Sequence, residues 1–169
     1  MINLDIGSIP EGTSEMDITV DAAELGVSPE DMCFETPVEI RLKADRNGND
    51  IFLKGKAAVR GVLECGRCLE EYSLVLECPI GVWCVIGASG DLTDVGERDS
   101  VIEVPAGSKY IDLADHVRSE LLIVAPFKPL CSDECKGLCP VCGVDLNVDK
   151  CSCERDSNDS RWDALKKIK

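Results

Sequence analysis

Cysteines crowd the last third of the chain in the run Cys131-x3-Cys135-x3-Cys139-x2-Cys142-x8-Cys151-x-Cys153, and a further pair, Cys65-Gly66-Arg67-Cys68, stands far upstream. Packing alone does not call for such spacing, so the cysteines must serve a disulfide framework, a metal or redox chemistry. Disulfides fit least. The total of eleven cysteines is odd, and Met1–Ile6 lacks the basic-then-apolar layout of a secretory signal. The expected location is therefore the cytoplasm, where thiols stay reduced.

Zinc favours four soft ligands in a tetrahedron, and two short cysteine pairs separated by a loop supply them. Cys139-Pro140-Val141-Cys142-Gly143 reads as a zinc knuckle. Gly143 frees the backbone to fold back so that amide groups point at the sulfurs. Cys151 and Cys153, two apart, can face the same ion from an extended segment. The first expected site is Cys139, Cys142, Cys151 and Cys153; the second joins the two remaining half-sites, Cys65 and Cys68 with Cys131 and Cys135. Two zinc ions per chain are expected. A rival pairing, Cys131 and Cys135 with Cys139 and Cys142, satisfies the same spacing rules, and an iron–sulfur cluster uses the same ligand type. Redox catalysis fits less well, because a reactive dithiol usually stands at a strand-to-helix junction. Cys65 and Cys68 turn from strand to strand.

The rest of the chain reads as α+β. Val38, Ile40, Leu42 and Ala44 alternate with Glu39, Arg41, Lys43 and Asp45, which marks a half-buried strand. Asn47-Gly48 then favours a tight hairpin. The next strand sets Ile51, Leu53, Ala57, Val59 and Leu63 against Lys54, Lys56, Arg60 and Glu64. Beyond the Cys65–Cys68 turn, Tyr72, Leu74, Leu76, Cys78 and Ile80 resume the alternation. Cys33, Cys78 and Cys84 lie outside the clusters, and the last two share the inward phase of their strand, as expected of core thiols. Ile2, Leu4 and Ile6, then Met16, Ile18 and Val20, suggest further short strands, with a helical turn at Ala22–Leu25. Gly87–Asp99 is polar and glycine-rich and is expected as a loop. Val101–Val104 is expected as one more strand. A helix over 112–125 follows, with Asp112 as its N-cap. A second, short helix is expected over Ser160–Lys169, docked through Trp162. The expected architecture is thus an antiparallel β-meander core with a long helix over residues 1–126, and a cysteine-rich zinc-binding segment with a terminal helix over 127–169.

Eighteen Lys and Arg against thirty-two Asp and Glu give a formal charge of −14. Eight thiolates around two divalent ions would lower this by about four more units. Such a surface suits a basic protein partner better than a polyanion, since phosphate binding rests on clustered Lys and Arg. The local exception is the C-terminal segment, where Arg161, Lys166, Lys167 and Lys169 stand against Asp163 and offer a place for RNA phosphates. A solvated face is the more ordinary use of those lysines. No apolar run approaches the roughly 18 residues of a membrane helix, so no membrane is expected, and no motif suggests a small-molecule substrate. The only histidine, His116, is an ordinary helical residue by its position. Filled sulfur coordination spheres leave no place to activate water. The chain is expected not to be an enzyme.

Four blocks carry a family resemblance: Cys65-Gly66-Arg67-Cys68-Leu69-Glu70; Glu120 to Pro126 running into Lys128-Pro129-Leu130-Cys131; Gly137 to Asn147; and Arg161-Trp162-Asp163-Ala164-Leu165. In this order they resemble the YceD family, whose members are described as large ribosomal RNA subunit accumulation proteins. The resemblance implies a ribosome biogenesis factor acting on 23S rRNA and the large subunit, with a ribosomal protein or pre-ribosomal particle as partner. It implies no catalytic residue. Glu154–Ser160 departs from the family pattern in being less purely acidic, with Ser160 where proline is common. A redox-responsive zinc switch and a zinc-ribbon nucleic-acid-binding module are the alternative functions.

Overall fold

The computed structural model describes residues 2–27, 33–87 and 100–153. The C-terminal helix expected over Ser160–Lys169, with Trp162 and the four basic residues, lies outside them, as does most of the expected Gly87–Asp99 loop.

Strand periodicity sets the architecture. β1 (Asn3–Asp5), β2 (Gly12–Val20), β3 (Cys33–Phe34), β4 (Val38–Asn47), β5 (Asp50–Glu64), β6 (Glu71–Ile86), β7 (Ser100–Val104) and β8 (Tyr110–Asp112) precede a single α-helix among the described residues, α1 (Ala114–Val124). Ala22–Leu25 forms a 3-10 turn closed by Gly26 at φ +67°. Six strands form one sheet in the order β2-β4-β5-β6-β7, with β3 pairing β5 off that path; β1 and β8 form a separate antiparallel pair. β4 and β5 are joined by a two-residue turn in which Gly48 takes φ +62°. That first central position is one where such hairpins place glycine.

The alternating residues divide as period two requires. Val38, Ile40, Leu42, Ala44, Ile51, Leu53, Ala57, Val59, Leu76, Cys78, Ile80, Val82 and Cys84 are buried, and Ala114, Val117 and Leu121 of α1 belong to the same apolar core. Gly55 occupies the inward phase between Leu53 and Ala57, opposite Leu42. A Cβ there would collide with the Arg41 carbonyl oxygen, so only glycine lets β4 and β5 approach.

Two features correct the expected architecture. β6 and β7 run parallel, Val82–Ile86 against Ser100–Val104, so the sheet is antiparallel-rich but not a pure meander. A parallel pair needs a connection of about a dozen residues or more, and residues 87–99 provide that length. The helix also starts later than 112. Asp112 ends β8, and its carboxylate accepts the Ala114 N–H at 2.9 Å, while Leu113 holds the cap position. The acidic residue therefore serves the helix from one position upstream of the cap.

The chain divides into two compact units: Met1–Leu63 with Tyr72–Phe127, and Glu64–Glu71 with Lys128–Lys169. The turn between β5 and β6 groups with the cysteine-rich segment, although its flanking strands belong to the β-rich unit.

Candidate metal centres

Both cysteine clusters lie in the second unit, and each starts from a CxxC turn with the same backbone hydrogen bonds. In Cys65-Gly66-Arg67-Cys68, the Leu69 N–H donates to the Cys65 carbonyl at 2.9 Å and the Cys65 N–H to the Glu70 carbonyl at 2.9 Å. In Cys139-Pro140-Val141-Cys142, the Gly143 N–H donates to the Cys139 carbonyl at 2.8 Å and the Cys139 N–H to the Val144 carbonyl at 2.8 Å. The residue after the second cysteine is left-handed in both, Leu69 at φ +64° and Gly143 at φ +75°. Gly143 meets this need without a Cβ penalty; Leu69 does not.

The remaining cysteines complete two groups of four. Cys65, Cys68, Cys131 and Cys135 bring their sulfurs within 4.8 Å of one another, as do Cys139, Cys142, Cys151 and Cys153. The spacing rules alone left two pairings open, and the geometry adopts the long-range one. Cys65 Sγ lies 3.8 Å from Cys135 Sγ, Cys68 Sγ 3.7 Å from Cys131 Sγ, and Cys142 Sγ 3.6 Å from Cys151 Sγ. Disulfide sulfurs stand about 2.05 Å apart, whereas edges of a tetrahedron with metal–sulfur bonds near 2.3 Å are about 3.8 Å. Cys139 and Cys151, at 3.3 Å, are closer than that edge but still unbonded.

Hydrogen bonds onto the sulfurs point the same way. Val141 N–H donates to Cys139 Sγ at 3.4 Å, Cys153 N–H to Cys151 Sγ at 3.2 Å, and the Asn147 side-chain amide to Cys135 Sγ at 3.3 Å. Such donors stabilise thiolates and orient them. In each cluster one thiol ionises readily. The backbone N–H groups of Cys131, Cys68 and Arg67 lower Cys65 to about 6, and those of Cys142 and Val141 lower Cys139 to about 6. Others resist: the Cys135 sulfur, then burial, pushes Cys131 up to about 12, and the Cys151 and Cys142 sulfurs push Cys153 up to about 12. Protons held between sulfurs in this way are displaced when a cation sits among them, because the thiolate is the ligand form. The donor set therefore fits a soft divalent ion in each cluster.

The other cysteines behave differently. Burial pushes Cys78 up to about 11 and Cys84 up to about 12, so both are inert core thiols. Cys33 is exposed on β3. His116 lies on α1, outside both clusters, and desolvation lowers its pKa. One residue of the sites escaped the sequence reading: Asn147, whose contact with a sulfur is set by folding. The only available hint was its place in the Gly137–Asn147 block.

Comparison with known proteins was decisive for kinship. A family model described as "Large ribosomal RNA subunit accumulation protein YceD" matches residues 53–169, a stretch that includes all eight clustered cysteines. The chain belongs to the YceD family. Among similar members, a protein from Arabidopsis thaliana named large ribosomal RNA subunit accumulation protein YCED homolog 1, chloroplastic, is 29% identical over 77% of this chain and 48% of its own length. The YceD protein of Haemophilus influenzae is 33% identical over 50% of this chain and 47% of its own. An uncharacterized Mycobacterium leprae protein is 28% identical over 67% of this chain and 51% of its own. The chain thus spans about half the length of the curated YceD relatives it matches. No solved structure matches it. Among the described residues no helix is long and apolar enough to cross a membrane.

Proposed function

We propose that the protein is a non-catalytic ribosome biogenesis factor that promotes accumulation of large-subunit ribosomal RNA and carries two structural zinc ions. The observation that carries the first half is the family match over residues 53–169. All eight cysteine sulfurs are committed to two groups of four, which favours closed structural sites over an open catalytic one. Zinc suits four thiolates in a tetrahedron without any redox requirement.

The acidic charge favours a basic protein, such as a ribosomal protein within a pre-ribosomal particle, as the direct partner. Two cations on the solvent side of the sheet stand beside carboxylates, which reduces what they offer to phosphate: Arg41 lies 4.0 Å from Asp17 and Lys56 3.1 Å from Glu77. RNA contact through Arg161, Lys166, Lys167 and Lys169 is the competing mode, and it would give a clear salt slope that neutralising those residues flattens.

Depletion of the protein followed by ribosomal RNA profiling tests the role. Large-subunit RNA should fall relative to the small-subunit RNA, and unchanged levels would sink the proposal. Metal analysis of protein purified without chelator tests the zinc, with two ions per chain expected; iron with visible absorbance would redirect the reading to a cluster. A redox-responsive switch is the second reading, favoured by the exposure of Cys142 beside the half-buried Cys151 and Cys153.

A further inference from the structure

The segment between Cys142 and Cys151 belongs by sequence to one cluster and serves the other. Asn147 lies in this segment, and its side-chain amide is fully engaged. Its Oδ1 accepts the Lys136 N–H at 2.8 Å, and its Nδ2 donates to Asp145 Oδ1 at 2.8 Å and to Cys135 Sγ at 3.3 Å. The bond to Asp145, together with that carboxylate's bond to the Asn147 N–H at 2.8 Å, fixes the turn. The bond to sulfur does nothing for the turn. It reaches a ligand of the neighbouring cluster.

The same segment is pinned elsewhere. Leu146 N–H donates to the Gly137 carbonyl at 2.9 Å, and Leu138 and Asp145 form an isolated antiparallel bridge. Arg67 of the upstream turn reaches back: its guanidinium donates to the Cys135 carbonyl at 2.8 Å and the Asp133 carbonyl at 3.2 Å, and its own carbonyl accepts the Leu138 N–H at 3.1 Å. Gly137, at φ +70°, permits this approach, since a Cβ there would come within 2.9 Å of the Arg67 carbonyl oxygen. The two clusters therefore share one hydrogen-bonded frame.

We infer that the two metal sites are energetically coupled, with Asn147 as the positioning residue that transmits occupancy of the Cys139/Cys142/Cys151/Cys153 site to the Cys65/Cys68/Cys131/Cys135 site. An ion bound by Cys142 and Cys151 closes the loop that presents Asn147, so the amide meets the Cys135 thiolate already oriented. Outer-shell donors of this kind carry substantial affinity. By linkage, an ion at the upstream site strengthens binding at the downstream one to the same degree. This inference rests on the metal reading above and adds to it an order within the unit.

The test uses the full chain, loaded with zinc and separately with cadmium-113. In competition with a chromophoric chelator, Asn147→Ala should weaken zinc at the Cys65 site about 10- to 100-fold when the Cys139 site is filled, and, by linkage, zinc at the Cys139 site by the same factor when the Cys65 site is filled. In cadmium-113 NMR, with resonances assigned through Cys65→Ser and Cys151→Ser, the same variant should shift the Cys65-site resonance far more than the other. A merely structural asparagine, acting only on its own turn, would disturb the Cys139 resonance instead, and that result overturns the inference. Cys151→Ser/Cys153→Ser should lower affinity at the Cys65 site by a similar factor in the parent and by much less in Asn147→Ala. Equal affinity at the Cys65 site with and without the second pair also overturns it. Because Asn147→Ala keeps all eight cysteines, the inference stands or falls even if the double variant does not fold. A chain that neither contains nor takes up two ions refutes the metal reading itself, a result distinct from two ions bound independently.

Discussion

The two CxxC turns share a backbone and differ in almost everything around it. Cys139 and Cys142 find their partners nearby, with Cys142 and Cys151 nine residues apart, whereas Cys68 and Cys131 are 63 residues apart. Closing the longer loop from an unfolded chain costs about 1.7 kcal/mol more by loop-length scaling. Burial runs the other way. Cys65, Cys68 and Cys135 are buried with Cys131 exposed, whereas only Cys139 is buried in the local cluster. The local site is cheaper to assemble and easier to attack; the long-range site depends on more of the fold and is better protected.

Metal removal should expose the largest difference, because structural zinc is worth an apparent ~10–16 kcal/mol in small finger domains. After chelation, the amides of Cys65, Leu69, Cys139 and Gly143 should lose hydrogen-exchange protection, while Ile40, Leu53 and Ile80 in the apolar core keep theirs. Loss of protection at all seven would show that the β-rich unit cannot stand without metal.

Single ligands come next. Cys65→Ser should reduce the chain from two ions to one and leave the local cluster filled, as read by metal analysis. If stoichiometry stays at two, the upstream pair is not a ligand pair. Mild peroxide should then separate the clusters by rate. Two thiolates, Cys142 with Cys151 or Cys153, are oxidised to a disulfide as peroxide is reduced to water, and the ion leaves. Peptide mapping should find these cysteines oxidised before Cys65 and Cys68; the reverse order would break the link between burial and protection.

The smallest effect lies in the left-handed position that both turns share. Gly143→Leu should cost about 1–2 kcal/mol, since a Cβ there meets nothing and only the backbone objects. Leu69→Gly should gain roughly 0.5–1 kcal/mol, the relief of strain being partly offset by the freedom glycine regains in the unfolded chain. Chemical denaturation of the metal-loaded variants measures both. Equal and negligible shifts would mean that metal coordination, rather than backbone preference, sets this position.

Much of this was legible beforehand because its causes are local. Alternation in 38–44 and 51–63 placed the strands, since side chains on a pleated ribbon must alternate faces. The Cys139–Gly143 spacing defined a turn, since glycine is free to take the positive φ that the turn needs. The choice between the two cysteine pairings was not legible: Cys131 and Cys135 satisfy the same local rules whichever neighbours they join. The parallel placement of β7 was equally hidden, because the hydrophobic pattern of a strand does not carry its direction. Asp112 is a strand end with a capping side chain rather than the cap itself, a difference of one residue in backbone conformation that its local pattern does not reveal.

By itself, then, the sequence determined which residues face inward along each strand, which cysteines stand in turns, and which family the chain resembles, all of them properties of spacing over a few residues or of aligned motifs. Tertiary structure alone decided that Cys65 and Cys68 meet Cys131 and Cys135, that Leu69 adopts a glycine's conformation, and that Asn147 leaves its own turn to bond a sulfur of the other cluster. The pairing depends on the path of some sixty intervening residues, and contacts that distant are fixed by how the whole chain packs; Asn147 and Cys135 are only twelve residues apart, but no local pattern specifies their contact.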